Sequence, residues 1–240
     1  MMKRLVLAMA FAIIPAEMTH AIQPAGNDNG IPHFGWGARI GFAATSTYMT
    51  DIFIDGHSLS DYTQDTQVGN FVSLQLRLNS KKLLFQTGIG LSFNKSSFII
   101  DKNSWDKESA SRNELTYSYS MKSLLIPLQV GYHFINQPPY SMSVFTGPRL
   151  RYIPDKYYSV EHSNLAPDSY QFNEYPNNLL VGWTVGLSVQ IGRTFLDFEY
   201  EATINKVTRG IYATDANEPD PNYKLDRRVG IISFSYGIMF

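Results

Sequence analysis

The stretch Asn178–Gly192 reads NLLVGWTVGLSVQIG, and its apolar residues recur at every second position. The odd-numbered positions from Leu179 to Ile191 are all large and apolar, whereas the even-numbered ones are small or polar with the exception of Leu180. Side chains alternate between the two faces of a β-strand, so this period of two predicts a strand with one apolar face. An α-helix would instead repeat its apolar residues every three to four positions.

The same period recurs on both sides of this stretch. At the C-terminal end, Ile232, Phe234 and Tyr236 alternate with Ser233 and Ser235. Applied to the whole chain, the pattern predicts eight strands. Their predicted bounds are 33–45, 67–79, 83–96, 115–134, 140–153, 178–192, 194–206 and 227–240.

The connections between these strands alternate in length. Short connections lie at 79–82, 135–139 and 192–193. Long polar connections lie at 46–66, 97–114, 154–177 and 207–226. Outer-membrane barrels have short periplasmic turns and longer outer loops. The sequence therefore predicts an all-β fold, namely an eight-stranded antiparallel up-and-down transmembrane β-barrel.

The N-terminal residues have the features of an export signal. Met1–Arg4 is a basic start, Leu5–Ile14 is an apolar run, and Thr19-His20-Ala21 is a small-residue cleavage pattern. We therefore predict a signal peptide at 1–21 that is cleaved near Ala21, a flexible lead at 22–32 and a barrel domain at 33–240. This organisation predicts export through the periplasm to a bacterial outer membrane.

The composition argues against several functions. The chain has 20 Lys+Arg against 21 Asp+Glu, which lacks the basic excess of a nucleic-acid-binding protein. It has no cysteine, which excludes disulfides, thiol catalysis and cysteine-based zinc sites. His33, His57, His133 and His162 lack the close spacing of metal ligands. We expect no cofactor and no metal.

The two faces of the predicted strands differ in size and charge. One face carries bulky side chains such as Trp36, Phe85 and Trp183, whereas the other is rich in glycine and contains charged residues. An eight-stranded interior has room only for side chains that just fill it, so the bulky face should meet lipid. The alternative is a soluble, lipocalin-like barrel with the bulky face inside.

Charged residues on the small face predict a network inside the barrel. Buried charges persist only when they are paired and hydrogen-bonded, so we expect arginines and carboxylates to meet in the lumen. If the barrel is soluble, these residues are scattered surface charges instead. The predicted network consists of Arg39, Arg77, Arg149, Arg151, Asp197, Glu199 and Glu201.

Two central stretches, Leu124–Phe134 (LLIPLQVGYHF) and Phe145–Tyr152 (FTGPRLRY), carry a further pattern. It resembles the PorT-like outer-membrane barrels of Bacteroidetes, in which an "IPL…Y.F" strand precedes a "G…G" strand. The resemblance implies an outer-membrane barrel, and the member that gave the family its name is linked to protein secretion. It transfers no catalytic residue. Because proline lacks a backbone N–H, Pro127 and Pro148 predict bulges in these strands.

The outer loops offer the remaining functional signals. Tyrosine provides contact area at low entropy cost, so the 154–177 loop is suited to a cell-surface or periplasmic protein partner or a surface glycan. The same aromatic residues equally fit an interfacial girdle. They are Tyr157, Tyr158, Tyr170, Phe172 and Tyr175.

Two alternatives to a binding, structural or secretion-accessory role stay open. Glu161-His162-Ser163 and Asp55-Gly56-His57-Ser58 contain the residue types of a hydrolase, which fits a lipid-modifying barrel enzyme. A pore is disfavoured because side chains fill an eight-stranded lumen. The sequence favours a barrel without catalysis, for which outer-membrane lipid is an expected partner.

Overall fold

The computed structural model describes residues 33–54, 57–59, 62–101, 114–154, 158–163, 172–213 and 224–240. The predicted signal peptide and flexible lead lie outside these described residues. Within the described part of the chain, no helix has the length and apolar character needed to cross a membrane.

Eight long strands make up the wall of the barrel. Each has the alternating apolar pattern predicted from the sequence over at least part of its length. They are β1 (His33–Ile54), β4 (Gln67–Asn79), β5 (Leu83–Asp101), β6 (Glu114–Gln137), β7 (Tyr140–Tyr152), β10 (Leu179–Ile191), β11 (Thr194–Thr203) and β13 (Lys224–Met239).

Five short strands lie in the long connections. They are β2 (His57–Leu59), β3 (Tyr62–Asp65), β8 (Tyr158–Ser163), β9 (Phe172–Pro176) and β12 (Thr208–Ala213). The strands β2, β3 and β8 extend the wall by pairing with β1, β5 and β6, whereas β9 and β12 pair with each other in a separate two-stranded sheet.

The eight long strands close into a ring in the order β1, β4, β5, β6, β7, β10, β11, β13, and β13 returns to β1. Every neighbouring pair is antiparallel. Residues far apart in sequence meet where the ring closes, as in the pair Gly41 and Ser235. The predicted eight-stranded up-and-down barrel is confirmed.

The predicted strand bounds need one systematic correction at the outer end. The short connections lie where we predicted them, but β1 continues to Ile54, β5 continues to Asp101, and further strands occupy parts of the long connections. Backbone pairing persists there, for example between Thr47 and Val229. In these extensions large apolar residues follow one another, as in Ile52-Phe53-Ile54 and Phe98-Ile99-Ile100, so alternation no longer marks the strand although its backbone pairing continues.

The predicted bulges at Pro127 and Pro148 are wrong. The β6–β7 register is the same on both sides of these prolines, since Pro127 pairs with Arg149 and Val130 pairs with Thr146. The register shift of this hairpin lies between His133 and Ile135. Proline removes a donor without requiring an extra residue, so these prolines leave the alignment of the strands unchanged.

The wall is apolar outside and mainly polar inside. Outward side chains such as Phe42, Phe85 and Trp183 are about half exposed or more, at 66%, 48% and 48%. Inward side chains such as Ser73 and Gln75 are almost completely buried. This arrangement is the reverse of a soluble barrel, which keeps its apolar residues inside.

Candidate functional site: the barrel lumen and its outer end

The charged residues of the lumen form one connected chain, here called the lumen network. It consists of Arg39, Arg77, Arg149, Arg151, Asp197, Glu199 and Glu201, and each of these side chains is at most 4% exposed. The three carboxylates lie on the inner face of β11, because alternate residues of a strand share a face. The arginines reach them from β1, β4 and β7.

Each carboxylate of the lumen network bridges two arginines. Asp197 accepts hydrogen bonds from Arg77 Nη2 at 2.9 Å and from Arg39 Nη1 at 3.1 Å. Arg39 Nη1 also donates to Glu199 Oε1 at 2.6 Å, and Arg149 donates to the other oxygen of Glu199.

The network continues towards the outer end of the barrel. Glu201 Oε2 accepts from Arg149 Nη1 at 3.1 Å and from Arg151 Nη2 at 3.0 Å. The order Arg77, Asp197, Arg39, Glu199, Arg149, Glu201, Arg151 therefore alternates in charge. The structure brings together all seven residues that the sequence predicted for the lumen.

A chain of amides lies along the inner wall of the barrel, on three adjacent strands. Gln75 Nε2 donates to Gln86 Oε1 at 3.0 Å, and Gln86 Nε2 donates to Gln129 Oε1 at 2.6 Å. Near the short-turn end, Ser141 Oγ is 3.0 Å from His133 Nδ1. These contacts connect β4, β5, β6 and β7 through their inner faces.

An apolar layer covers the outer end of the lumen network. Along the inner face of β13, Ile231 and Val229 lie between Ser233, which pairs with Glu199, and Arg227. These two residues belong to a cluster of almost completely buried apolar side chains. The cluster consists of Ala43, Phe71, Met121, Ile153, Leu180, Val207, Val229 and Ile231.

A second polar group, here called the outer cluster, lies beyond this layer. Arg227 Nη2 donates to Glu174 Oε1 at 2.6 Å, and both side chains are fully buried in this pair. Tyr117 Oη also donates to the Glu174 carboxylate, as does Thr208 Oγ1 at 2.5 Å. The Arg227 guanidinium lies 4.1 Å from the centroid of the Tyr119 ring.

The outer cluster was only partly predictable from the amino-acid sequence. Arg227 is in phase with Val229 and Ile231 on the inner face of β13, so its inward direction was readable from the pattern. Glu174 lies in β9, within a connection that we predicted to be a solvated loop. No periodic signal in so short a strand points to burial.

The structure describes only some of the aromatic residues of the 154–177 connection. Tyr157 and Tyr170 lie outside the described residues. Tyr158 lies in β8 and Phe172 in β9, and the structure describes their backbone alone. Tyr175 is 49% exposed, and it points away from its buried neighbour Glu174.

The residue types that suggested a hydrolase lie on different parts of the wall. His57 pairs with Ile54 beside β1, whereas His162 pairs with Tyr117 of β6. The strands β4 and β5 lie between β1 and β6 in the ring. Among the described residues, no group of three or more His, Asp or Glu side chains is arranged to hold a metal ion.

A closed barrel with an apolar outer belt and a buried, charged interior defines a transmembrane β-barrel. The family described as "Outer membrane protein beta-barrel domain" matches residues 23–209. The chain belongs to this family, and its location is the bacterial outer membrane.

Several solved structures are similar to this chain. Neisserial surface protein A has 15% sequence identity and a TM-score of 0.39, with 85% of this chain and 97% of that chain covered. The outer membrane protein OprG from Pseudomonas aeruginosa has 13% identity and a TM-score of 0.49, with 86% and 96% covered. Ail, the attachment invasion locus protein of Yersinia pestis, has 13% identity and a TM-score of 0.36, with 86% and 98% covered. No curated protein sequence matches the chain.

Proposed function

We propose that this protein is a non-enzymatic outer-membrane barrel that binds a cell-surface protein partner through its outer connections. The observation that carries the proposal is the attachment of the β9–β12 sheet to the barrel. Glu174 of β9 and Thr208 of β12 meet Arg227 of β13 in a buried, hydrogen-bonded cluster. A contact surface that is held in place before binding loses less conformational entropy when a partner docks.

Tyr175 is the described side chain best placed for such a contact. It follows Glu174 directly, so the buried carboxylate fixes the backbone from which Tyr175 projects. Tyrosine and arginine are enriched at protein interfaces, and the exposed Arg209 lies in the register irregularity opposite this position. An outward Tyr175 and Arg209 on an anchored sheet therefore suit a protein surface with apolar and acidic groups.

Crosslinking on intact cells tests this role. We would compare the wild type with Tyr175→Ala and with a variant in which a Gly/Ser linker replaces residues 157–172 but Glu174 is kept. Tyr152→Ala is the matched control, since Tyr152 is 47% exposed on the barrel wall. A partner that crosslinks to the wild type and the control but not to the two test variants supports the proposal. Equal crosslinking of all four proteins contradicts it.

We further propose that the protein assists protein secretion, because the chain resembles PorT-like barrels. Its motifs lie on adjacent strands, with Leu124–Phe134 in β6 and Phe145–Tyr152 in β7. Deletion of the gene should then reduce the proteins released into the medium without changing lipid A. An unchanged set of released proteins contradicts the secretion role, and an altered lipid A mass contradicts the absence of catalysis.

A further inference from the structure

The lumen network contains more positive than negative charge. Among the described residues it joins four guanidinium groups to three carboxylates. Arginine stays protonated in proteins, so one positive charge is left even when all three carboxylates are ionised. An uncompensated charge that is removed from water is strongly destabilising, which favours a counter-ion.

The two ends of the lumen network differ in how their charge is balanced. Arg77 and Arg151 are the terminal arginines, and each shares its carboxylate with a second arginine. The Arg77 guanidinium lies 4.0 Å from the centroid of the Phe195 ring, whose face attracts a cation. Arg151 instead donates to hydroxyls of Ser123 at 2.8 Å and Ser92 at 3.4 Å. Both contacts are made with neutral groups, but Arg151 Nε is in addition buried without a hydrogen-bond partner.

Three of the unused buried donors among the described residues lie at this same end. Within the described residues, Arg149 Nε, Arg151 Nε and Thr184 Oγ1 are buried without a hydrogen-bond partner. Thr184 pairs with Glu201 across the β10–β11 strands, and Glu201 Oε1 is the unpartnered acceptor of this group. A water molecule would satisfy hydrogen bonds here, but it would leave the charge uncompensated. A small anion accepts hydrogen bonds from the unused N–H and O–H donors and also compensates the excess positive charge, whereas the Glu201 Oε1 acceptor needs a donor of its own.

We propose that the lumen binds one small monovalent anion, of the size and charge of chloride, beside Arg151. The guanidinium groups of Arg151 and Arg149 and the Ser123 hydroxyl are its donors. Ile153, two residues beyond Arg151 and part of the apolar layer, separates the ion from the outer end of the barrel and strengthens its attraction to the arginines. This site is distinct from the outer surface of the proposed function, and neither proposal depends on the other.

Anomalous diffraction with bromide tests the site directly. The wild-type barrel would be refolded in detergent with bromide as the only small anion and then crystallised. We expect one anomalous peak inside the lumen, within hydrogen-bond distance of the Arg151 guanidinium. Peaks on the outer surface alone, or no peak at all, would overturn the proposal.

Thermal unfolding gives a second, independent readout. An ion that binds only the folded state raises its apparent stability, so the wild-type midpoint should be several degrees higher in chloride than in gluconate at equal ionic strength. Arg151→Gln should lose this difference. Arg228→Gln removes the same charge from an exposed outward position and should keep it. Equal wild-type midpoints in the two salts would contradict the proposal even if Arg151→Gln fails to fold.

Discussion

The lumen network and the outer cluster are both buried ion-pair systems, but they connect different parts of the molecule. The lumen network joins β1, β4 and β7 to β11, so all its members belong to the barrel wall. The outer cluster joins Glu174 of β9, which lies outside the ring, to Arg227 of β13. The first therefore stabilises the barrel itself, whereas the second fixes the position of an outer connection.

The largest effect should follow from breaking the lumen network at its centre. Glu199→Ala removes the carboxylate between Arg39 and Arg149 and leaves both charges short of a partner. We expect a loss of about 3–5 kcal/mol in the free energy of unfolding. Urea unfolding in detergent, followed by heat-modifiable migration on gels, measures it. An unchanged midpoint would show that this residue contributes nothing to barrel stability.

Breaking the outer cluster should lower the free energy of unfolding of the barrel by a smaller amount. Arg227→Gln removes the cation from Glu174, but Tyr117 and Thr208 still donate to the carboxylate. We expect a loss of about 1–3 kcal/mol, together with faster protease cleavage between β8 and β9. A barrel midpoint that falls as far as in Glu199→Ala would contradict the separation of the two regions.

Removing both charges of the outer cluster should restore part of that loss. In Glu174→Gln with Arg227→Gln, neither site keeps an uncompensated buried charge. We therefore expect the double variant to be about 1 kcal/mol more stable than Arg227→Gln alone, as measured in a double-mutant cycle. Additive losses would indicate that the two side chains do not interact.

The smallest change in the free energy of unfolding should follow from a substitution of Arg228, the neighbour of Arg227. Arg228 lies one residue further along β13 and is exposed on the opposite face. Arg228→Gln should change the free energy of unfolding by no more than about 0.5 kcal/mol, measured by the same urea titration. A loss as large as that of Arg227→Gln would mean that the faces of β13 are wrongly assigned at this end.

The different predictability of the two regions has a physical cause. The members of the lumen network lie in strands with clear alternation, so the phase of Glu199 against Phe198 was enough to direct it inward. Glu174 lies in a short strand of a connection, where phase carries no information. Its burial depends on Arg227, 53 positions away in the chain, and on the β9–β12 pairing.

The sequence by itself determined the number of strands in the barrel wall, the alternation of short and long connections and the face of each wall strand that meets lipid. These features depend on local periodicity, which each segment carries on its own. The tertiary structure decided the register, and with it the partner of each charged residue. Arg39 meets Asp197 across 158 positions because ring closure brings β1, β13 and β11 side by side. The outer cluster and the apolar layer likewise exist only once distant strands pair, since no single segment specifies its neighbour.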